Sequence, residues 1–420
     1  MLKHAGNRPL IVQYAPHSLD DVATKLVMRH TKEHHSLRRV EVVLGCDKTD
    51  QKDTFAQIAQ FFLDISSSDF GLQSIRVDGN GMDGQICLGS FAEIFTAPAL
   101  TSVHLTHSFI SMDPRPSDNL TVLILEDSNA WNSMTHMLKS LEQLPLLEVF
   151  SSTWSDIRRS SVMWVEHRWM TPVNGREYRS VPLPNLRYLR FEDIFEPVLY
   201  LLQYTRLPHQ AQISLISGYI PDPLFAEQAG VALSNHFMAG EDNEDLVCTI
   251  AFSGNPVVSI ALVAPDGGRL EWTFCGYRLD FLSPVHAARL YRLSPLSTLA
   301  SHSVIRPPDF GFFLDMLRNA RVTSYVTKLD LICPPVEVVQ DLLTCFPCAT
   351  EVKLTGFAAG TRAVQSLCRV GDTSILPNLA LLDIDAAKDE QWSYDSAEEQ
   401  LTRIRKRRPG LRLDLMCHAL

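Results

Sequence analysis

One short frame, apolar-x-x-apolar-x-apolar, constrains this chain more than any other feature. It occurs as Leu100, Val103 and Leu105, and again 20 residues later as Leu120, Leu123 and Leu125. When a turn feeds a short strand, the apolar positions can point to one side and the residues between them to the other. A strand that returns so soon, with only a loop or short helix between, cannot bury its apolar edge alone. Each copy needs a neighbour stacked on it, so the expected fold is an α/β solenoid.

The frame recurs along most of the chain. Leu37, Val40 and Val42 give the first copy, and Leu72, Ile75 and Val77 extend to Asn80 and Met82. The copy at Leu100 extends likewise to Ser108 and Ile110. Further copies are predicted at Leu146 and Val149, at Leu186, Leu189 and Phe191, and at Val326, Leu329 and Leu331. Two more follow at Ala349, Val352 and Leu354 and at Leu379, Leu382 and Ile384. Pro98, Pro184 and Pro377 stand two residues before the first apolar position, where proline suits a chain turning into an extended segment.

Other elements frame these repeats. Residues 10–14 and 411–416 read as strands, and 18–27, 54–65, 133–143 and 336–344 as amphipathic helices. A further helix is expected from Ser396, where Glu399 three residues on resembles a capping box and Gly410 supplies the stop. Residues 247–252, 257–264 and 269–274 are longer strands, and Ala264-Pro-Asp-Gly-Gly268 makes a hairpin turn that implies antiparallel pairing. The length would allow two or three ordinary domains, but a solenoid grows without a boundary. The expectation is therefore one domain over 1–420. It comprises a cap (1–36), N-terminal repeats (37–195), an irregular, distorted central section (196–320), and C-terminal repeats with their cap (321–420).

Charge and composition narrow the function classes. A formal net charge of −10 disfavours a surface built to cover phosphates, so no nucleic-acid partner is expected. The longest nearly apolar run, 257–264, is far below the ~20 residues that cross a membrane. The opening residues lack the apolar core of a secretion signal, and the nine cysteines have no framework spacing. Both point to a reducing, intracellular setting, cytoplasmic or nuclear.

Candidate chemistry is sparse. Cys345-Phe-Pro-Cys348 has redox or half-zinc spacing, but a helix precedes it and a strand follows. That is the reverse of the order in which a helix N-terminus would stabilise a thiolate, so the pair reads as structural. His30 and His34 share a helix face without a third ligand, beside Lys32 and Glu33, and read as solvated. Arg403, Arg405, Lys406, Arg407 and Arg408 resemble a nuclear-localisation run, but fall where cations complement a helix C-terminus. No phosphate-binding glycine loop, G-x-S-x-G or H-E-x-x-H is present. The expectation is a non-enzymatic protein with no cofactor and no metal. An enzyme with a site unlike these motifs stays open as the alternative.

Two sets of residues are expected to meet a protein partner. Residues 154–179 interrupt the repeats and hold Trp154, Trp164 and Trp169 among several arginines, the residue types enriched at binding hot spots. If the repeats stack, the residues between the apolar positions line a concave face. Its central column would run Glu41, Arg76, His104, Ile124, Phe150, Arg190, Asp330, Lys353 and Asp383, and Arg76, His104, Ile124, Phe150 and Arg190 are the leading candidates.

Several stretches resemble the leucine-rich-repeat region of fungal, basidiomycete-type F-box proteins. They are the opening Leu2-Lys-His-Ala-Gly-Asn-Arg-Pro-Leu10-Ile-Val12 and the strand lead-ins Pro98-Ala-Leu100, Pro184-Asn-Leu186 and Pro377-Asn-Leu379. Cys345-Phe-Pro-Cys348 before a repeat strand and the closing Arg405-Lys-Arg-Arg-Pro-Gly410-Leu-Arg-Leu413 complete the set. The resemblance implies an α/β leucine-rich-repeat horseshoe that selects substrates for a cullin-type ubiquitin ligase. In that family an F-box docks the ligase adaptor, and residues 1–36 contain no recognisable F-box. Substrate recognition and a free-standing repeat scaffold therefore both remain open.

Overall fold

The computed structural model describes residues 10–14, 37–43, 72–78, 86–87, 97–109, 117–128, 130–131, 133–154, 179–218, 225–237, 245–253, 257–275, 310–358, 375–387 and 394–418. The helices expected over 18–27 and 54–65 lie outside these residues, as do His30, His34, Asn80, Met82 and Ile110. The fold is mixed α/β, built on extended and mostly parallel β-sheet. Contacts divide the chain into two compact units, Met1–Asp193 with Gln203–Pro208, and Ile194–Leu202 with His209–Leu420.

In the first unit the elements are β1 (Leu10–Tyr14), β2 (Leu37–Val43), β3 (Ser74–Asp78), β4 (Ile86–Cys87), β5 (Ser102–Thr106), β6 (Ser108–Phe109) and β7 (Val122–Glu126). Helix α1 (Met134–Glu142) then leads to β8 (Val149–Thr153), β9 (Val181–Pro182), β10 (Tyr188–Asp193) and β11 (Thr205–Arg206). Strands β1-β2-β3-β5-β7-β8-β10 lie side by side in that order, every adjacent pair parallel. The short strands pair as β4 with β6 and β9 with β11. Ser133 caps α1, its hydroxyl accepting from the His136 N–H at 3.1 Å, as the 133–143 pattern predicts.

The apolar frame is the core. Leu72, Ile75, Val77, Leu100, Val103, Leu105, Leu120, Leu123, Leu125, Leu186, Leu189 and Phe191 are all buried. A recurring turn sets the parity of each strand. The N–H at the first apolar position donates to the carbonyl three residues back, as at Leu100 to Ala97, Leu147 to Leu144, Leu186 to Leu183, Ala349 to Phe346, Leu379 to Leu376 and Leu411 to Arg408, at 3.0–3.2 Å. Proline occupies the second turn position in each of these (Pro98, Pro145, Pro184, Pro347, Pro377, Pro409), where its fixed φ is already that of the turn. Neighbouring turns are tied together: the Asn119 side chain donates to Pro98 O at 2.7 Å, and Asn185 to Pro145 O at 2.8 Å.

Four of the strands share a device at their far end. Two residues beyond the third apolar position the backbone enters the left-handed region, at His107 (φ 51), Asp127 (φ 47), Cys333 (φ 51) and Gly356 (φ 64). The first three carry a Cβ, and each donates its N–H to a carbonyl of the adjacent strand, at 2.7–2.9 Å. In the first unit a buried serine follows. The Ser108 N–H donates to Ser128 Oγ at 2.9 Å, while the Ser108 and Ser128 hydroxyls donate to Thr106 O and Glu126 O. This rung satisfies backbone groups that the kink removes from the sheet. Ser128→Ala is expected to strand the buried Ser108 N–H and to cost about 1–3 kcal/mol, read as a lowered urea midpoint, whereas the exposed Thr402→Ala leaves it in place.

The second unit contains α2 (Phe195–Tyr204), whose last residues belong to the first unit, then β12 (Gln212–Ser217), α3 (Ala226–Phe237), β13 (Leu246–Ser253), β14 (Val257–Val263) and β15 (Arg269–Cys275). It continues with α4 (Phe310–Asn319), β16 (Val326–Ile332), α5 (Val336–Thr344), β17 (Glu351–Ala358), β18 (Leu381–Ala387), α6 (Tyr394–Arg407) and β19 (Arg412–His418). Its sheet order is β12-β15-β14-β13-β16-β17-β18-β19. β14 and β15 pair antiparallel, as the hairpin turn predicts, β13 also pairs antiparallel with β14, and the flanking pairs are parallel. Within this unit the antiparallel strands continue the ladder, with one register shift where β13 meets β16, between Leu246 and Val247. An aromatic cluster fills the core: Trp272 stacks on Phe195 (centroids 5.6 Å, 10°) and on Phe274 (5.0 Å, 25°), and its Nε1 donates to Ser217 Oγ at 2.7 Å. Helices α3 and α4 meet at Gly230, where an added Cβ would stand 2.5 Å from Met316 O, so only glycine allows this approach.

Two local readings change. The capping box at Ser396 and Glu399 does not form, because α6 starts at Tyr394 and Ser396 lies inside it. Glu399 instead accepts from Arg403 at 2.7 Å, one helical turn on. Strand β12 and helices α2 and α3 were not predicted in the irregular section.

Candidate functional site

Alternation along the parallel strands leaves one side chain facing outward between each pair of core residues. In the first unit the register places Arg76 opposite His104, His104 opposite Ile124, Ile124 opposite Ser151, and Ser151 opposite Arg190. Glu41 occupies the register position beside Arg76. Arg76, His104, Ile124 and Ser151 are half-buried and Arg190 is exposed, against buried neighbours on the same strands. Four of the expected residues, Arg76, His104, Ile124 and Arg190, thus share one column.

Phe150 does not belong to it. It is 0% exposed, pairs in register with Leu123 and Leu189, and meets Trp131 edge-on at 5.9 Å. The frame here is Leu147, Phe150 and Ser152, one residue later than predicted. The turn at Leu144-Pro-Leu-Leu147 makes Leu147 its first position and leaves Leu146 43% exposed. Trp154 is likewise core, 5% exposed, and not a contact-loop residue. Trp164 and Trp169 lie outside the described residues.

Two further rows flank the column. Toward the strand starts stand Ser74, Ser102, Val122, Val149 and Tyr188, with Tyr188 39% exposed. Toward the strand ends stand Asp78, Thr106, Glu126 and Thr153, with Glu192 next along β10. Glu126 accepts from Thr106 Oγ1 at 3.3 Å and pairs with His104 Nε2 at 3.0 Å. His107 and Asp127 pair at 3.5 Å beyond the row. Burial raises the Glu192 carboxyl above the ordinary glutamate range; Arg190 opposes this and Asp127 adds to it. Sequence reasoning named only the central column, although period-two alternation marks the flanking rows on the same strands.

In the second unit Asp330, Lys353 and Asp383 also share a column, between Thr249 and Asp414. Burial raises the Asp330 carboxyl; Lys353 opposes that and Asp383 adds to it. Lys328 with Glu351 and Arg412 with Asp414 form pairs on the same face at 3.1 and 2.9 Å.

The cysteine motif is the lead-in turn of β17. Cys345 closes α5, its Sγ donating to Asp341 O at 3.3 Å, and Phe346-Pro-Cys-Ala349 is the turn itself. Burial pushes the Cys345 thiol up to about 11, the wrong direction for a nucleophile or metal ligand at neutral pH. In the basic run, Arg405, Lys406 and Arg407 occupy the last turn of α6, while Arg408 is buried and donates to Leu376 O. Among the described residues no helix is long and apolar enough to cross a membrane. No protein-family model matches the chain, and no curated protein matches it in sequence.

Proposed function

We propose that this protein is a non-enzymatic interaction module, a leucine-rich-repeat-type solenoid whose outward strand face receives a protein partner. One observation carries the reading: Arg76, His104, Ile124, Ser151 and Arg190 form an in-register, accessible column across five adjacent strands, each held between buried core residues. A rigid ladder presents such side chains at fixed spacing with little ordering cost on binding. The repeated proline turn, the left-handed residue after four of the frames and the serine rung support the repeat assignment. Substrate selection for a cullin-type ubiquitin ligase is the role that the family resemblance adds.

The test is affinity purification from the source organism with wild-type and Ile124→Asp baits, followed by mass spectrometry. The expected result is a reproducible partner set that falls at least about tenfold with Ile124→Asp, as for loss of a central interface residue, while the circular-dichroism melt is unchanged. The same set recovered on both baits would overturn the reading. Recovery of adaptor and cullin marks the ligase role, and partners without them mark a free-standing scaffold.

A further inference from the structure

The outward face of the first unit is not uniform, and its rows differ in chemistry over β7, β8 and β10. The row at the strand starts is apolar, with Val122 and Val149 half-buried and Tyr188 exposed, and Ile124 continues it into the central row. Leu146, 43% exposed, lies in the turn that leads into β8. The strand ends are acidic, with Glu126 and Glu192 on the face and Asp127 close enough to act on Glu192. Across β3 to β10 the carboxylates Asp78, Glu126, Asp127 and Glu192 stand against the guanidiniums Arg76 and Arg190, so negative charge is in excess with histidine neutral. The protein as a whole has the same sign, −10.

The two rows lie four residues apart along each strand, about 13 Å at the usual rise. An α-helix is about 10–12 Å across, so one laid over the strands covers the apolar row while its flank reaches the acidic one. The apolar row spans three adjacent strands, about 10 Å, which matches two helical turns and anchors at i, i+3 or i+4, and i+7. Acidic groups along one edge repel nucleic-acid phosphate and anionic lipid and attract lysine and arginine. Resting on the docking role proposed above, we infer that the partner element is a basic amphipathic helix. Its apolar side seats on Val122, Ile124, Val149 and Tyr188, and its cationic flank faces Glu126, Asp127 and Glu192.

The test is selection of a random 16-residue peptide display library on the immobilised full chain, with Val149→Asp as the counter-bait. Enriched peptides are expected to carry net positive charge and apolar residues at helical spacing, and to be lost on Val149→Asp. Resynthesised peptides should bind Glu126→Gln/Glu192→Gln about tenfold more weakly and with a smaller salt dependence. They should bind a Glu398→Gln/Glu399→Gln control, altered on the exposed side of α6, as they bind wild type. Neutral or acidic peptides that are still lost on Val149→Asp overturn the basic partner and leave the docking face standing. Enrichment that survives Val149→Asp overturns both. No enrichment overturns the basic helix, and the docking role then stands or falls on the Ile124→Asp purification. Thermal melts of each variant separate lost binding from lost folding.

Discussion

Phe150→Asp is expected to unfold the first unit, whereas Ile124→Asp is expected to fold and lose only its partner. The two residues lie on adjacent strands and both are large and apolar. Phe150 is fully buried between the Leu123 and Leu189 positions, with Trp131 and Phe191 against its ring. Aspartate there forfeits about 3–5 kcal/mol of aromatic packing and adds a carboxylate with no partner, which costs several kcal/mol more or forces protonation. Together these approach the whole stability of an ordinary domain, about 5–15 kcal/mol. Ile124 is half-exposed, and aspartate there keeps its hydration. The measurement is far-ultraviolet circular dichroism with urea titration. A cooperative, wild-type-like transition for Phe150→Asp would show that the strand runs in the other parity.

Trp272→Ala is expected to lower the stability of the second unit by about 3–5 kcal/mol. The indole packs against both Phe195 and Phe274, which also meet each other at 6.4 Å, and is 0% exposed, so its removal opens a cavity that these two rings cannot close. It also leaves the buried Ser217 hydroxyl without its donor. Trp272→Phe keeps the stack and loses the hydrogen bond, for about 1–2 kcal/mol. Near-ultraviolet circular dichroism should show the aromatic signal of the second unit melting earlier in both variants, in that order of severity. Equal loss in the two variants would mean that the hydrogen bond, and not the stack, carries the effect.

Much of this was legible from residues. The frames at Leu72, Leu100, Leu120, Leu186, Val326, Ala349 and Leu379 are buried as read, because every slot holds an apolar residue, leucine, isoleucine or valine in all but Phe191 and Ala349. The frame near 147 was misplaced because its third slot is Ser152, buried yet polar, while the adjacent Leu146 and Val149 offered a false match. The correcting signal was already present. The proline two residues before the first apolar position, seen at Pro98, Pro184 and Pro377, also stands at Pro145 and selects Leu147. Ser396 failed for a different reason: S-x-x-E spacing also occurs inside a helix, and Arg403 competes for Glu399. β12 escaped because Ala211, Ile213, Leu215 and Ser217 alternate strictly, without the two-residue step that opens the frame, and no proline holds the second position of the turn at 209–210. The column itself followed from alternation once parity was right; which rows are apolar or acidic emerged only when register set the strands side by side.

The pairing pattern also sets how the chain can find its fold. In the first unit, neighbours such as Val103 and Leu123 are separated by 20 residues, and each strand can add to the one before it. In the second, Leu246 pairs with Val326 across 80 residues, and Gln212 with Arg269 across 57. Closing the longest of these loops costs about 1 kcal/mol more in chain entropy than the shortest, and it must close before its contacts repay it. The first unit can therefore zip up as it leaves the ribosome. The second waits for β16 to be synthesised and holds β13, an edge strand until then, open to wrong partners in the meantime.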